Sequence, residues 1–220
     1  MVKHPFIGLV ALGPIDPNIL RSLRAAIAKF LLLPVRVLQP KSLPPESYNP
    51  VRNQFHATQL LELLLDDADD KALRILGVTA GDIYIPIFTF LFGEGQLNGK
   101  AAVVSVFRPR GDAGGPTPTR RVFLSRLIKL SLHELGHTFG LEHCRQEGCL
   151  MGFSSNLEKL DQSNLALCHY CQIFLTDFFR DQGLLPAIKR YAEIHAPDAP
   201  TLIAGGSRKH HPGASRRKAE

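Results

Sequence analysis

The sequence predicts an α/β fold with a mixed sheet, and three observations carry that prediction. Apolar runs suited to strands alternate with helical periodicity through the first seventy residues, three further strand-like runs then follow at close spacing, and no internal repeat interrupts the pattern. A crossover helix normally joins parallel neighbours, whereas closely spaced later strands can pair antiparallel, so both kinds of pairing are expected in one sheet.

The elements follow in order. Residues 5–12 form an apolar run suited to a strand covered on both faces, and it leads into Gly13-Pro14-Ile15-Asp16-Pro17 with no small-residue cleavage pattern, which argues against a signal peptide. Asp16 then Pro17 place a capping residue before a proline at the first helical position, and Leu20, Leu23, Ile27, Phe30 and Leu31 recur at helical spacing. A helix to about Leu32 follows. Val35, Val37 and Leu38 suggest a short second strand, residues 39–50 a proline-rich loop, and Ala57 to about Asp66 a helix with Leu60, Leu61, Leu63 and Leu64 as its apolar face. From Leu73 the runs LRILGVT, IPIFTFLFGEG and AAVVSVF read as strands. Gly111 to Pro118 is a loop, and a helix starting near Thr119 runs through Phe123, Leu127 and Leu130 into His133. QIFLTDFFRD, Gln172 to Asp181, is a later helix, with Gly183 as its stop.

A chain of 220 residues with 45% hydrophobic content buries a full core and is expected to form one domain. No apolar stretch approaches the roughly 20 residues that span a bilayer, so a soluble, cytoplasmic protein without a membrane partner is expected. The formal charge of +6 is concentrated in residues 207–220, where five basic residues face one acid; the body therefore carries only +2. That tail has no apolar periodicity and reads as a solvated, disordered end, which discounts its His210 and His211 as ligands and nucleic acid as a partner.

The chemistry lies in residues 133–151, HELGHTFGLEHCRQEGCLM. His133 and His137 stand four residues apart, so on a helix they share a face about 6 Å apart along the axis and can hold one zinc ion. Glu134 projects beside the pair, where a carboxylate can accept a proton from water without binding the metal. Gly140 permits a left-handed turn that ends the helix and brings His143 back as a third ligand. Three protein ligands leave one zinc position open, which is the arrangement of a catalytic site. Met151, the only methionine besides Met1, lies where a methionine-containing turn is anticipated after such a motif, although core packing also accounts for it.

Cys144, Cys149, Cys168 and Cys171 fall within 28 residues. Close pairs in an intracellular chain point to a closed, structural four-thiolate zinc site; two disulfides or a redox-active Cys-x-x-Cys are the alternatives.

The segment HELGHTFGLEHCRQEGCLM, followed by CHYC at residues 168–171, resembles the archaemetzincins, a branch of the metzincin zinc peptidases. Their pattern, HExxHxxGxxHC, four residues, CxM, about seventeen residues, then CxxC, is met in every element. The resemblance implies a catalytic zinc on His133, His137 and His143, Glu134 as general base, Met151 in the Met-turn, and a second, structural zinc on the four cysteines. It also implies a metzincin-like catalytic domain over residues 1–206: an upper lobe to about residue 140 with a twisted mixed sheet and the active-site helix, then a small, mainly helical lower lobe to about residue 206. The expected activity is hydrolysis of peptide or protein substrates laid along an edge strand, within residues 88–95 or 101–107. Two other readings remain open: an aminopeptidase acting on short peptides, and a non-catalytic zinc protein that binds nucleic acid or a protein partner.

Overall fold

The computed structural model describes residues 5–66, 71–111 and 114–195. The basic tail expected at 207–220 lies outside them. The chain opens with β1 (Phe6–Leu12), α1 (Pro17–Leu31) and β2 (Val35–Val37). It continues through β3 (Tyr48–Asn49), β4 (Gln54–His56), α2 (Ala57–Asp66), β5 (Ala72–Thr79), β6 (Ile83–Tyr84), β7 (Gly93–Gly95) and β8 (Ala101–Ser105). Five helices follow: α3 (Phe107–Arg110), α4 (Arg120–Thr138), α5 (Leu157–Gln162), α6 (His169–Asp181) and α7 (Leu185–His195).

The main sheet has the order β2-β1-β5-β8-β7, parallel throughout except for the antiparallel pair β7 and β8. β1 is buried along its whole length because helices cover both of its faces. Ile7, Leu9 and Ala11 join the apolar cluster of α1 and α4, while Phe6, Val10 and Leu12 join that of α2. α1 starts as its sequence signals: the Asp16 carboxylate accepts from Asn18 N at 2.8 Å, with proline next in line. The α1 and α4 cluster continues without a break through Leu141, Leu150 and Met151 to Leu175 and Phe179 of α6 and Ile188 of α7. No described helix is long and apolar enough to cross a membrane.

The sequence overstates one strand, and it misses the short strands β3, β4 and β6 and the helices α3, α5 and α7. Residues 85–92 of IPIFTFLFGEG are not a strand; Pro86 cannot donate to a ladder, and the Arg52 guanidinium takes the carbonyls of Phe88 and Thr89 at 2.8 and 2.9 Å. Ile87 and Phe88 stand exposed there. Only the Gly93–Gly95 end joins the main sheet, as one of its two edge strands, while Leu91 makes a single bridge to Ile83; β8, the other candidate edge, lies inside. α5 begins where Asn156 Oδ1 accepts from Lys159 N at 2.9 Å, and α7 buries Ile188 and Ala192 at i, i+4 spacing. Both signals are short and easily passed over.

Candidate metal centres

α4 carries the first group of donors. Thr119 caps its start, accepting from Val122 N, and the helix packs beneath β5, β7 and β8, so its last two turns end directly under the sheet edge. The helix ends in a Schellman closure: Leu141 N donates to Gly136 O at 3.0 Å and Gly140 N to His137 O at 2.9 Å, with Gly140 at φ +91°. That turn folds the chain back and brings His143 against the helix. The His133, His137 and His143 rings lie 4.7 to 5.3 Å apart between centroids, and their ligand nitrogens are all within 4.8 Å of one another.

Backbone carbonyls orient two of the rings. His133 Nδ1 lies 2.8 Å from Leu150 O, and His137 Nδ1 2.7 Å from Leu141 O. A carbonyl only accepts, so both Nδ1 atoms donate and both Nε2 atoms keep a free lone pair. Those two Nε2 atoms face each other at 3.1 Å. Two bare acceptors repel at that distance, and a cation shared with His143 removes the conflict. Burial drives His133 from 6.5 down to about 4 and lowers His137 and His143, which keeps the imidazoles neutral as ligation requires. The donor set therefore fits a zinc ion.

Glu134 is buried and lies against the edge strand. A Cβ built on Gly93 would sit 2.6 Å from Glu134 Cγ, and one on Gly95 only 2.4 Å from Glu134 O, so both positions have to be glycine for β7 to pack this closely. Burial, and after it the nearby Glu94 carboxylate, push the Glu134 carboxyl up to about 8. Met151 is fully buried, and a Cβ on Gly136 would meet its Sδ at 2.5 Å. The glycine between the two helical histidines is thus the seat of the Met151 thioether. A cavity of about 560 Å³ opens at this site, walled by β7, the three histidines, Glu134 and an apolar floor that includes Phe92, Leu130 and Leu160.

The second group lies beside the first. Cys144 Sγ is 3.7 Å from Cys168 Sγ, Cys149 Sγ is 3.8 Å from Cys171 Sγ, and all four sulfurs lie within 4.8 Å of one another. All four cysteines are free; a disulfide would need about 2.05 Å. Backbone amides point at the sulfurs: Cys168 N donates to Cys149 Sγ at 3.3 Å and Gln146 N to Cys144 Sγ at 3.4 Å. Burial raises Cys149 and Cys171; it opposes ionisation of Cys168 too, yet hydrogen bonds from the Cys171 backbone and the neighbouring thiols bring that thiol down to about 7. Four sulfurs gathered around one point, with amides turned toward them, suit a closed tetrahedral zinc.

The structure thus brings the predicted histidines into one cluster and the predicted cysteines into another. Sequence reasoning missed the Leu141 and Leu150 carbonyls, which have no side-chain signature, and Glu94, whose neighbourhood is set by strand pairing. Leu150 ties the clusters together: it holds His133, and it stands between Cys149 and Met151, whose carbonyl accepts from Cys144 N at 2.8 Å.

Known proteins match this arrangement. Peptidase family M54 matches residues 21–177. The archaemetzincin of Methanopyrus kandleri is 40% identical over 129 residues, 59% of this chain and 70% of that protein. That of Methanocaldococcus jannaschii is 33% identical over 177 residues, 80% of this chain and 96% of that one. The crystal structure of the Methanopyrus kandleri archaemetzincin superposes with a TM-score of 0.71 at 34% identity, covering 80% of this chain and 96% of that one. With the family matched across more than half its length and the donor clusters in place, the chain belongs to the archaemetzincins, peptidase family M54, and is a zinc metallopeptidase.

Proposed function

We propose that the chain is a single catalytic domain that binds two zinc ions and hydrolyses peptide bonds at the histidine cluster. His133, His137 and His143 hold the catalytic ion, Cys144, Cys149, Cys168 and Cys171 hold the structural one, and Met151 forms the Met-turn. The division falls near residue 140, with the sheet and α4 above and the cysteine-bound loops and α6 below.

A zinc ion on three histidines supplies Lewis-acid chemistry, acidifying water and polarising a carbonyl oxygen. Glu134 is the general base: its carboxylate accepts the proton of the attacking water and passes it to the leaving amine nitrogen. Burial raises the Glu134 carboxyl, so its anion is a stronger base than that of an exposed glutamate, which favours the first of those two transfers. The substrate adds to the β7 edge as an extra strand, its carbonyls and amides pairing with those of β7. Gly93 and Gly95 set that strand directly over Glu134, which positions the scissile bond.

The observation that carries this reading is the buried Glu134 between the histidine cluster and the open edge. A non-catalytic zinc protein gains nothing from a carboxylate in that place. Metal analysis of paired variants tests it: wild type holds two zinc ions, His137→Ala one, and Glu134→Ala two with no hydrolysis. Full activity in Glu134→Ala, or a zinc content indifferent to His137→Ala, would sink it.

A further inference from the structure

β7 pairs with β8 in the register Gly93↔Val104, Glu94↔Val103, Gly95↔Ala102. On the same register Ser105 N donates to Phe92 O at 2.9 Å and Gln96 N to Ala101 O at 3.1 Å. Antiparallel ladders alternate hydrogen-bonded and non-hydrogen-bonded pairs, so Glu94 turns its backbone groups inward to Val103, and Gly93 and Gly95 turn theirs outward to the open edge. Just upstream, the outward amide of Leu91 is already taken by Ile83 O at 2.8 Å. The free stretch of edge is therefore residues 93–95, in the cavity wall.

Side chains alternate as well. The Cβ directions of Gly93 and Gly95 run onto Glu134, so Glu94 projects from the opposite face of the strand, toward α2. There its carboxylate is half-buried, and its partner is the Thr58 hydroxyl, at the long distances of 3.3 and 3.4 Å. Among the described residues no basic side chain pairs with it. Lys129, the cation of the same cavity, is committed to the carbonyls of Leu160 and Asp161 at 2.8 and 3.1 Å. Burial raises the Glu94 carboxyl, as expected of an anion without a counter-charge.

An incoming strand bonded to Gly93 and Gly95 places one residue directly opposite Glu94. If the strand runs antiparallel this is a non-hydrogen-bonded pair, the close kind, with Cα atoms about 4.5 Å apart and side chains on one face. We propose that Glu94 is a specificity-determining residue that selects a basic side chain, lysine or arginine, at that position of the peptide. The inference rests on the peptidase reading and on strand addition at β7. Glu94 acts in recognition and Glu134 in chemistry, with the backbone of β7 between the two carboxylates.

The test uses zinc-loaded full-length protein and internally quenched peptides, each made both blocked at both ends and with a free N-terminus. Lysine, arginine, norleucine or glutamate is walked through each position. One position should favour lysine and arginine over norleucine by about tenfold in kcat/KM. Glu94→Gln, which keeps a partner for Thr58, should bring that ratio close to one, and Glu94→Lys should turn the preference toward glutamate. Fluorescence anisotropy of the same peptides on Glu134→Ala, with and without Glu94→Gln, should show the same selectivity in binding. A ratio unchanged by Glu94→Gln overturns the proposal, as does a preference seen only with a free N-terminus, which would assign the carboxylate to an α-ammonium group. Hydrolysis without charge preference at any position rejects Glu94 and leaves the peptidase reading standing. Charge-selective binding lost in Glu94→Gln, with no hydrolysis by wild type, does the reverse, and peptides neither bound nor cleaved reject both.

Discussion

The two donor clusters are joined by one peptide bond, His143 to Cys144, yet they are built in different ways. Two of the three histidines stand on one face of a 19-residue helix packed along its length against the sheet, and the third comes back over a glycine turn. The cysteines come from two loops and the first turn of α6, segments that share little regular structure of their own. On the proposed two-zinc reading, one cluster is presented by the fold, while the other would hold a part of the fold together. Loss of the histidine metal should therefore abolish activity and leave stability largely intact, whereas loss of the cysteine metal should cost both.

The largest expected effect is Cys171→Ser. It removes a buried ligand, and the protein should release one zinc ion, lose several kcal/mol of stability and hydrolyse peptides poorly because Leu150 no longer holds His133. Calorimetry with metal analysis measures this; an unchanged melting temperature would break the contrast between the clusters. Next comes Glu134→Gln, expected to lower kcat by about 10²- to 10⁴-fold, the usual contribution of general acid–base catalysis, with both metals kept. Its melting curve should not fall, since an uncompensated buried carboxyl is removed.

Gly136→Ala should cost about 1 to 3 kcal/mol, since the added methyl meets Met151 Sδ at 2.5 Å in a filled core. A paired Met151→Leu change should alter that cost and not simply add to it. The smallest effect is the acid response of the metal-free protein. Burial holds His133 near 4 against 6.5 in the unfolded chain, so the folded form prefers the neutral ring. Stability from this group is present above about 6.5 and is lost as pH falls from there toward 4, because the unfolded chain takes up the proton first. Thermal melts of apo protein at pH 7 and pH 5 should show the drop, and zinc should be released over the same window. Replacing His133 by Asn should shrink the drop, leaving the part that buried His137 and His143 contribute.

Much of this was legible in the sequence because it is local. Asp16-Pro17 announced α1, Thr119 announced α4, and the spacing of His133, His137, Gly140 and His143 encodes one helix face and one turn. Cys144, Cys149, Cys168 and Cys171 announced a cluster through spacing alone. IPIFTFLFGEG misled because its apolar content is that of a strand, while Pro86 and the Arg52 guanidinium divert its backbone. Arg52 lies more than thirty residues away, and no window of sequence contains both partners.

What the sequence determined by itself was the set of donors, their order, and the family pattern they complete. Residue identity fixes which atoms can ligate, and helical period fixes how neighbours four apart are placed. Only the tertiary structure decided that β7 is the open edge, that Gly93 and Gly95 lie on Glu134 while Glu94 faces away, and that the Leu150 carbonyl links one cluster to the other. Those relations depend on strand order and on the closeness of packed backbones, which arise from contacts between distant segments and have no period to be read along the chain.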